Sequence, residues 1–368
     1  ARYLYPNAEL QTARISEFLK RLGTEETKQI FFYLYFTYLK SLPGISENVL
    51  IDSTSLNNNI DFEYAKISNH NGVIEKQTRL IYVVERNTGM PVYFRYVAGN
   101  VVDVSTLRTT INELKGQNMN IKHSILDAGY CSETNVKELQ DSNISFIFRM
   151  PHNTLAKQLI AEHGKDLLSD QYSLKYGDRL LFMKEVQFTL YNIKCYLYIT
   201  IDFDRMSSEQ KAYALKKLAN KEKRNPKKMA NKEDFGYFIL VSSEALERDN
   251  VMPLYYLRQT IEQIFDVLKN DTASLPLRTH TIKTFQGHLL ISFIATLALI
   301  TIKNKLKQRK KLASIPATQA LQNMRSIKAT VHGNQITTSE AQKEANLIIK
   351  NLKLSVPDKI IYRDTKKP

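Results

Sequence analysis

The sequence predicts an α/β fold, a mixed sheet flanked by helices, with an inserted mostly-β subdomain and helical N- and C-terminal segments. Three observations predict it. Between residues 48 and 149 the pattern runs β-β-β-α-β-α-β, so antiparallel strands lead into strands joined by crossover helices, whose connections make parallel neighbours. Between 151 and 250 β-branched and aromatic runs return around one helical, basic stretch, which marks an insertion. Beyond it, 254–270 and 288–306 regain helical spacing and should pack back on the sheet.

Taken in order, residues 1–44 form a helical segment with helices over 8–22 and 25–42, the second begun by Thr24-Glu25-Glu26 and both closed by Leu42-Pro43-Gly44. Residues 45–150 are the first part of the core. Strands are expected over 48–52, 79–86 and 91–97, the last two joined across Asn87-Thr88-Gly89. Asp103 should cap a helix to Leu114, and Ser132 one to Leu139, with strands over 121–126 and 144–149. This ordering resembles ribonuclease H-like folds. Residues 151–250 are the β-rich insertion, with strands over 179–188, 194–202 and 237–242, and 251–312 complete the core. The C-terminal segment, 313–368, offers a helix, a hairpin across His332-Gly333-Asn334, a helix begun by Ser339 and a stop at Pro357.

Composition narrows the function. The 368 residues carry 52 Lys and Arg against 37 Asp and Glu, a formal charge of +15 that favours a polyanion, nucleic acid first, as partner. Cys131 and Cys195 are the only cysteines, too few for a disulfide framework or a cysteine-based zinc site, and they suit the cytoplasm. The longest apolar run, 289–302, has 14 residues and three hydroxyl side chains, short of a bilayer span, so a buried helix and no membrane partner are expected. The chain opens at Ala1 without a methionine, which fits a trimmed piece of a longer protein.

The chemistry concentrates in carboxylates. Asp52 ends the apolar run Val49-Leu50-Ile51, and Asp127 ends Ser124-Ile125-Leu126 before Ala128-Gly129-Tyr130. Either alone could serve a turn or a cap. As ends of adjacent strands they could share a hard cation. The helix expected over 254–270 sets Tyr255, Arg258, Glu262 and Lys269 in a stripe roughly 60° wide, beside an apolar side that includes Leu257, Ile261 and Leu268. The alternative for that stripe is a solvated face laced by an Arg258–Glu262 pair at i,i+4. Asp266 lies one turn further along, and spacing alone does not dismiss it as the third acid. Two basic runs, 216–232 and 303–311, could track phosphates or simply be solvated.

Tyr255-x2-Arg258-x3-Glu262-x6-Lys269 is the YREK signature. With Asp52 and the Asp127-Ala-Gly129-Tyr130 turn, the chain resembles DDE transposases of bacterial insertion sequences, in the branch with a β-rich insertion before the final Glu. The likeness covers about residues 45–360 and includes Gly287-His288 and the Arg325-Ser-Ile-Lys region. It implies a catalytic triad of Asp52, Asp127 and Glu262 holding two Mg²⁺ ions, for which Mn²⁺ substitutes. It implies transposon-end contacts from Tyr255, Arg258 and Lys269, double-stranded end and target DNA as partners, and a synaptic homodimer. The implied reaction is cleavage at transposon ends with strand transfer. The alternatives are a ribonuclease H-like nuclease without strand transfer and a transposase-derived DNA-binding protein without catalysis. The chain departs from some relatives in having no tryptophan to stack on a flipped base, which puts a hairpin route in doubt. Tyr191, Tyr196 and Tyr198 are read as strand residues with core or cross-strand contacts.

Overall fold

The computed structural model describes residues 12–58, 62–70, 73–219, 234–271, 277, 279–333 and 335–361. In chain order these form α1 (Thr12–Leu22), α2 (Glu25–Ser41), β1 (Asn48–Asn57), β2 (Lys66–His70), β3 (Val73–Glu85), β4 (Pro91–Ala98), α3 (Leu107–Gly116), β5 (His123–Leu126), α4 (Glu133–Asp141) and β6 (Ser145–Arg149). There follow α5 (Thr154–His163), β7 (Ser173–Tyr176), β8 (Arg179–Leu190), β9 (Ile193–Asp202), α6 (Phe203–Ala219) and β10 (Tyr237–Ser242). The last group is α7 (Arg248–Tyr256), α8 (Gln259–Asp266), α9 (Ile282–Lys307), α10 (Ala317–Met324), β11 (Ala329–His332), β12 (Gln335–Thr338), α11 (Lys343–Leu352) and β13 (Lys359–Ile361). The chain divides into two compact units, one of Glu26–Asn87 with Val92–Gln263, the other of Ala1–Glu25, Thr88–Pro91 and Ile264–Pro368.

The first unit holds a ten-stranded mixed sheet in the order β2-β3-β1-β5-β6-β10-β9-β8-β7, with β4 also paired to β3. β3 runs antiparallel to β1, whereas β5 and β6 run parallel to it, and α3 and α4 make the crossovers. The order β4-β3-β1-β5-β6 is the ribonuclease H-like arrangement. Val49, Leu50 and Ile51 are at most 1% exposed, which is why β1 reads as an unbroken apolar run: a central strand is covered on both faces. Leu107, Ile111 and Leu114 of α3 and Val136 and Leu139 of α4 are buried, and Asn118 and Asn143 take left-handed conformations just past these helices. Strands β7 to β9 join the same sheet through β10. α2 adds Phe32, whose ring lies 4.6 Å from that of Tyr93 on β4.

In the second unit, α1 and α9 cross at backbone contact. A Cβ on Gly287 would lie 2.0 Å from the Leu19 carbonyl oxygen and one on Gly23 1.6 Å from that of Lys283, so only glycine fits at the crossing. α9 is long and apolar enough to cross a membrane by length and composition, and 56% of its apolar window is buried. Leu306 near its C-terminal end shares a small core with Leu312 of the following turn, Ala320 and Ile348. β11, β12 and β13 form a separate antiparallel sheet, and Gly333 in the β11–β12 turn has φ +58°.

Several elements differ from the sequence reading. The helix expected from Asp103 starts at Leu107, because the Asp103 carboxylate is drawn to Arg79 and Ser53 instead of capping. The single helix expected over 254–270 is broken into α7, α8 and a π-helical turn, Val267–Asp271. α9 begins at Ile282, six residues before His288, because Thr281 and Thr284 form a reciprocal capping box. Ser339 starts no helix, since its hydroxyl accepts from the Lys328 amide, and α11 begins at Lys343. Tyr191 stands in the β8–β9 turn with φ +51°, outside either strand. Of the basic run 216–232, only 216–219 fall in the described residues, at the end of α6.

Candidate active site

Strand register builds the site. Ile51 of β1 pairs with Leu126 of β5, so the residues that follow, Asp52 and Asp127, stand side by side on neighbouring parallel strands. Leu126 in turn pairs with Phe148 of β6, which places Arg149 next in the same row. The row is therefore acid, acid, cation.

Arg258 closes it from the helical side. It lies in a tight turn between α7 and α8, where the Arg258 amide donates to the Tyr255 carbonyl at 3.1 Å and the Ile261 amide to the Arg258 carbonyl at 3.1 Å, i→i−3 bonds that replace α-helical ones. From there one guanidinium nitrogen, Nη2, lies 3.5 Å from Asp52 Oδ2 and 3.5 Å from Asp127 Oδ2. The two oxygens are thus no farther apart than twice that distance. Nη1 donates to Glu262 Oε1 at 3.0 Å, so three acids meet one cation. The i,i+4 pair read as an alternative is present, yet it belongs to this cluster and not to an isolated solvated face.

The electrostatics are uneven. Asp52 is 8% exposed, and burial pushes its carboxyl from 3.8 to about 7 despite Arg258 and an amide bond from Ser53 at 2.8 Å. Arg258 is also partly buried, which opposes its charge, but Asp52 and Asp127 raise its pKa overall. The two shifts are compatible. Arg258 sees three carboxylates, whereas Asp52 sees one guanidinium and two further acids. Glu262 is about half exposed.

A cavity of about 350 Å³ opens beside the row, lined by Asp127, Glu262, Arg149, Arg205, Arg258 and Tyr255 among others. Burial raises the Tyr255 phenol to about 12, so it stays protonated and can donate a hydrogen bond. Burial and the nearby Arg205 lower the Arg149 pKa, and both guanidinium groups lie over the Phe238 ring, at 5.9 and 5.6 Å. Arg205 is paired with Glu209 at 2.6 Å.

Tyr255, Arg258 and Glu262 thus gather with Asp52 and Asp127. Lys269 lies in the other unit, half-buried in the π-helical turn, where burial lowers its pKa against the pull of Asp266. Sequence reasoning missed Arg149, Arg205, Arg79 and Asp103. Arg149 had a signal, since it ends the apolar run 144–148 as Asp52 and Asp127 end theirs. The other three had none.

The acids offer only oxygen donors, which suits a hard divalent cation. As placed, no three Asp, Glu, His or Cys side chains among the described residues could hold one ion, because Arg258 stands between the acids. Their convergence on one cationic group, and the cost of charging buried Asp52, fit a site that takes further positive charge.

The model of the Transposase DDE domain family matches residues 45–298. The chain belongs to that family. Family members work with divalent metal ions. No curated protein matches the sequence. Among solved structures, the transposase domain is similar to a piggyBac transposase synaptic complex with hairpin DNA, at 11% identity and TM-score 0.42, over 77% of this chain and 52% of that one. It is also similar to a Mos1 mariner paired-end complex with Mn, at 16% identity and TM-score 0.20, over 43% of this chain and 50% of the other. The chain spans about half the length of these structures. At such similarity the fold assignment rests on the strand order and the family match.

Proposed function

We propose that this transposase domain cuts DNA at transposon ends and joins the freed 3′-hydroxyl to target DNA by in-line phosphoryl transfer. The observation that supports it most is the register that sets Asp52 beside Asp127 and under the same arginine as Glu262. Those three acids would hold two Mg²⁺ ions, with Mn²⁺ as a substitute. The ions would supply positive charge to the attacking and leaving oxygens of the transfer.

The chain's own residues do the rest. Arg258 offsets part of the acids' charge while the site is empty of DNA and can turn one face of its guanidinium to a phosphate once other cations are present. Tyr255, protonated, offers a donor to a phosphate oxygen, and Lys269 adds a backbone contact. The partners are double-stranded end and target DNA, with two copies of the chain in a synaptic complex, acting in the bacterial cytoplasm on nucleoid DNA. Incubating the protein with labelled end-containing duplex, a target plasmid and Mg²⁺ tests the reading. Joined product, blocked by EDTA, is expected; cleavage alone points to a nuclease, and binding alone to a non-catalytic DNA-binding protein.

A further inference from the structure

A fourth carboxylate lies behind the row. Asp103 sits in a one-turn 3-10 segment, Asp103–Ser105, between β4 and α3. Its Oδ1 accepts from the Ser53 hydroxyl at 2.5 Å and from Arg79 Nη1 at 2.6 Å. Both Arg79 and Asp103 are largely buried, with side chains 11% and 24% exposed. Successive strand residues alternate faces, so Ser53 and Asp103 meet on the side of β1 away from Asp52. The Ser53 amide donates to Asp52 Oδ1, so the contact at Ser53 fixes the peptide that orients Asp52.

The same turn also reaches the second acid. The buried side-chain amide of Asn135 donates to the Val104 carbonyl at 2.9 Å and to the Tyr130 carbonyl at 2.8 Å, joining the 103–105 turn to the Ala128–Tyr130 turn that directly follows Asp127. Asp103 Oδ2 faces Gly129, where a Cβ would lie 3.4 Å from it. One turn thus braces the backbone of β1 after Asp52 and that of β5 after Asp127, while Arg79 ties it to β3.

We infer that Asp103 is a positioning residue that sets the spacing of Asp52 and Asp127 for a divalent cation, a role that rests on reading those acids as metal ligands. It touches neither the cation nor DNA. Groups that orient metal ligands from behind change metal affinity or activity about 10–100-fold when removed.

The test is Mn²⁺ titration of the full chain without DNA, followed by paramagnetic resonance, with thermal unfolding in EDTA and affinity for a mixed-sequence duplex in EDTA measured alongside. Asp103→Asn keeps the shape and removes the charge, and Ser53→Ala removes only the link to β1. Ser53→Ala should weaken Mn²⁺ binding about tenfold while leaving unfolding and duplex affinity near those of the parent. Asp103→Asn should weaken it at least as far with duplex affinity retained, and loses some stability because it leaves buried Arg79 without its carboxylate. If Asp103→Asn does not fold, Ser53→Ala decides alone. Parental Mn²⁺ affinity in the folded variants overturns the inference, as does a weakening in Ser53→Ala matched by equal losses in stability and duplex affinity. Asp52→Asn separates the two readings. If it abolishes Mn²⁺ binding while the other variants bind normally, only the role of Asp103 fails; if it leaves Mn²⁺ binding intact, the metal-ligand reading fails and the inference falls with it.

Discussion

Asp52→Asn should inactivate the enzyme and stabilise the metal-free protein. The carboxyl is 8% exposed and burial raises it from 3.8 to about 7, a shift of about three units, or roughly 4 kcal/mol between its two protonation states. For an acid whose folded pKa is raised, the stabilising contribution is complete below the unfolded value and is lost as pH rises through the folded one. The metal-free parent should therefore lose stability between about pH 4 and pH 7, and Asp52→Asn should lose about 4 kcal/mol less over that window. Allowing for the buried amide it introduces, the variant should be more stable at pH 8 by on the order of 2 kcal/mol, and no more stable at pH 4.

The assay is urea unfolding in EDTA at pH 4 and pH 8, followed by tyrosine emission, since the chain has 20 tyrosines and no tryptophan. Mg²⁺ added at pH 8 should recover stability in the parent and not in the variant, and the variant should not cut end DNA. Equal or lower stability of Asp52→Asn at pH 8 would refute the buried-charge argument. Cleavage by the folded variant would refute the assignment of Asp52 to the metal.

Glu262→Gln should abolish cleavage with DNA binding retained, whereas Asp266→Asn, which lacks the contact to Arg258, should keep most activity; the reverse pattern in a cleavage assay would unseat the third acid. Arg258→Ala and Lys269→Ala should each reduce the salt dependence of end-DNA binding by about one counterion, read from the slope of log affinity against log salt, and unchanged slopes would return both to structural ion pairing. Gly287→Ala should destabilise the protein by roughly 2 kcal/mol or more, because the new Cβ would meet the Leu19 carbonyl, while Gly116→Ala, with open space around it, should be neutral or slightly stabilising in the same denaturant titration.

The two acids were legible because a buried strand writes itself as an apolar run that a charge interrupts. Asp127 does follow the end of β5, but the strand expected to stop at Asp52 runs on to Asn57, with Asp52 paired to Tyr82 in mid-strand. The strand-to-strand register was not legible, and register is what turns two acids 75 residues apart into neighbours and adds Arg149 to their row. Asp103 was misread for a local reason. An acid ahead of a helix ordinarily caps it, but here Arg79, 24 residues away, binds the carboxylate more strongly than the helix amides can, and sequence spacing carries no trace of that pairing. The stripe of Tyr255, Arg258 and Glu262 was found with a straight-helix rule although the helix is not straight. It survived because the i→i−3 turn displaces the register by a fraction of a turn, leaving Arg258 and Glu262 one turn apart and on the same side.

On the proposed reading, the charge balance of the cluster would couple its two kinds of ligand. Asp52, Asp127 and Glu262 bring three carboxyl groups together, with Asp52 held partly protonated by burial, and Arg258 already sits among them. Arg149 stands in the same row, while Arg205 is spent on Glu209. Divalent cations entering alone would meet two arginines and displace one of them from its acids. A phosphodiester entering alone would meet three carboxylates. Were both to enter, Arg258 would be free to turn from the acids to the phosphate, and each ligand would remove the repulsion that opposes the other. Because linkage is reciprocal, the cations must tighten DNA binding by the same factor by which DNA tightens theirs. If the three acids hold the cations as proposed, Arg258, which contacts all three in the free protein, would be the group through which metal and DNA binding depend on each other.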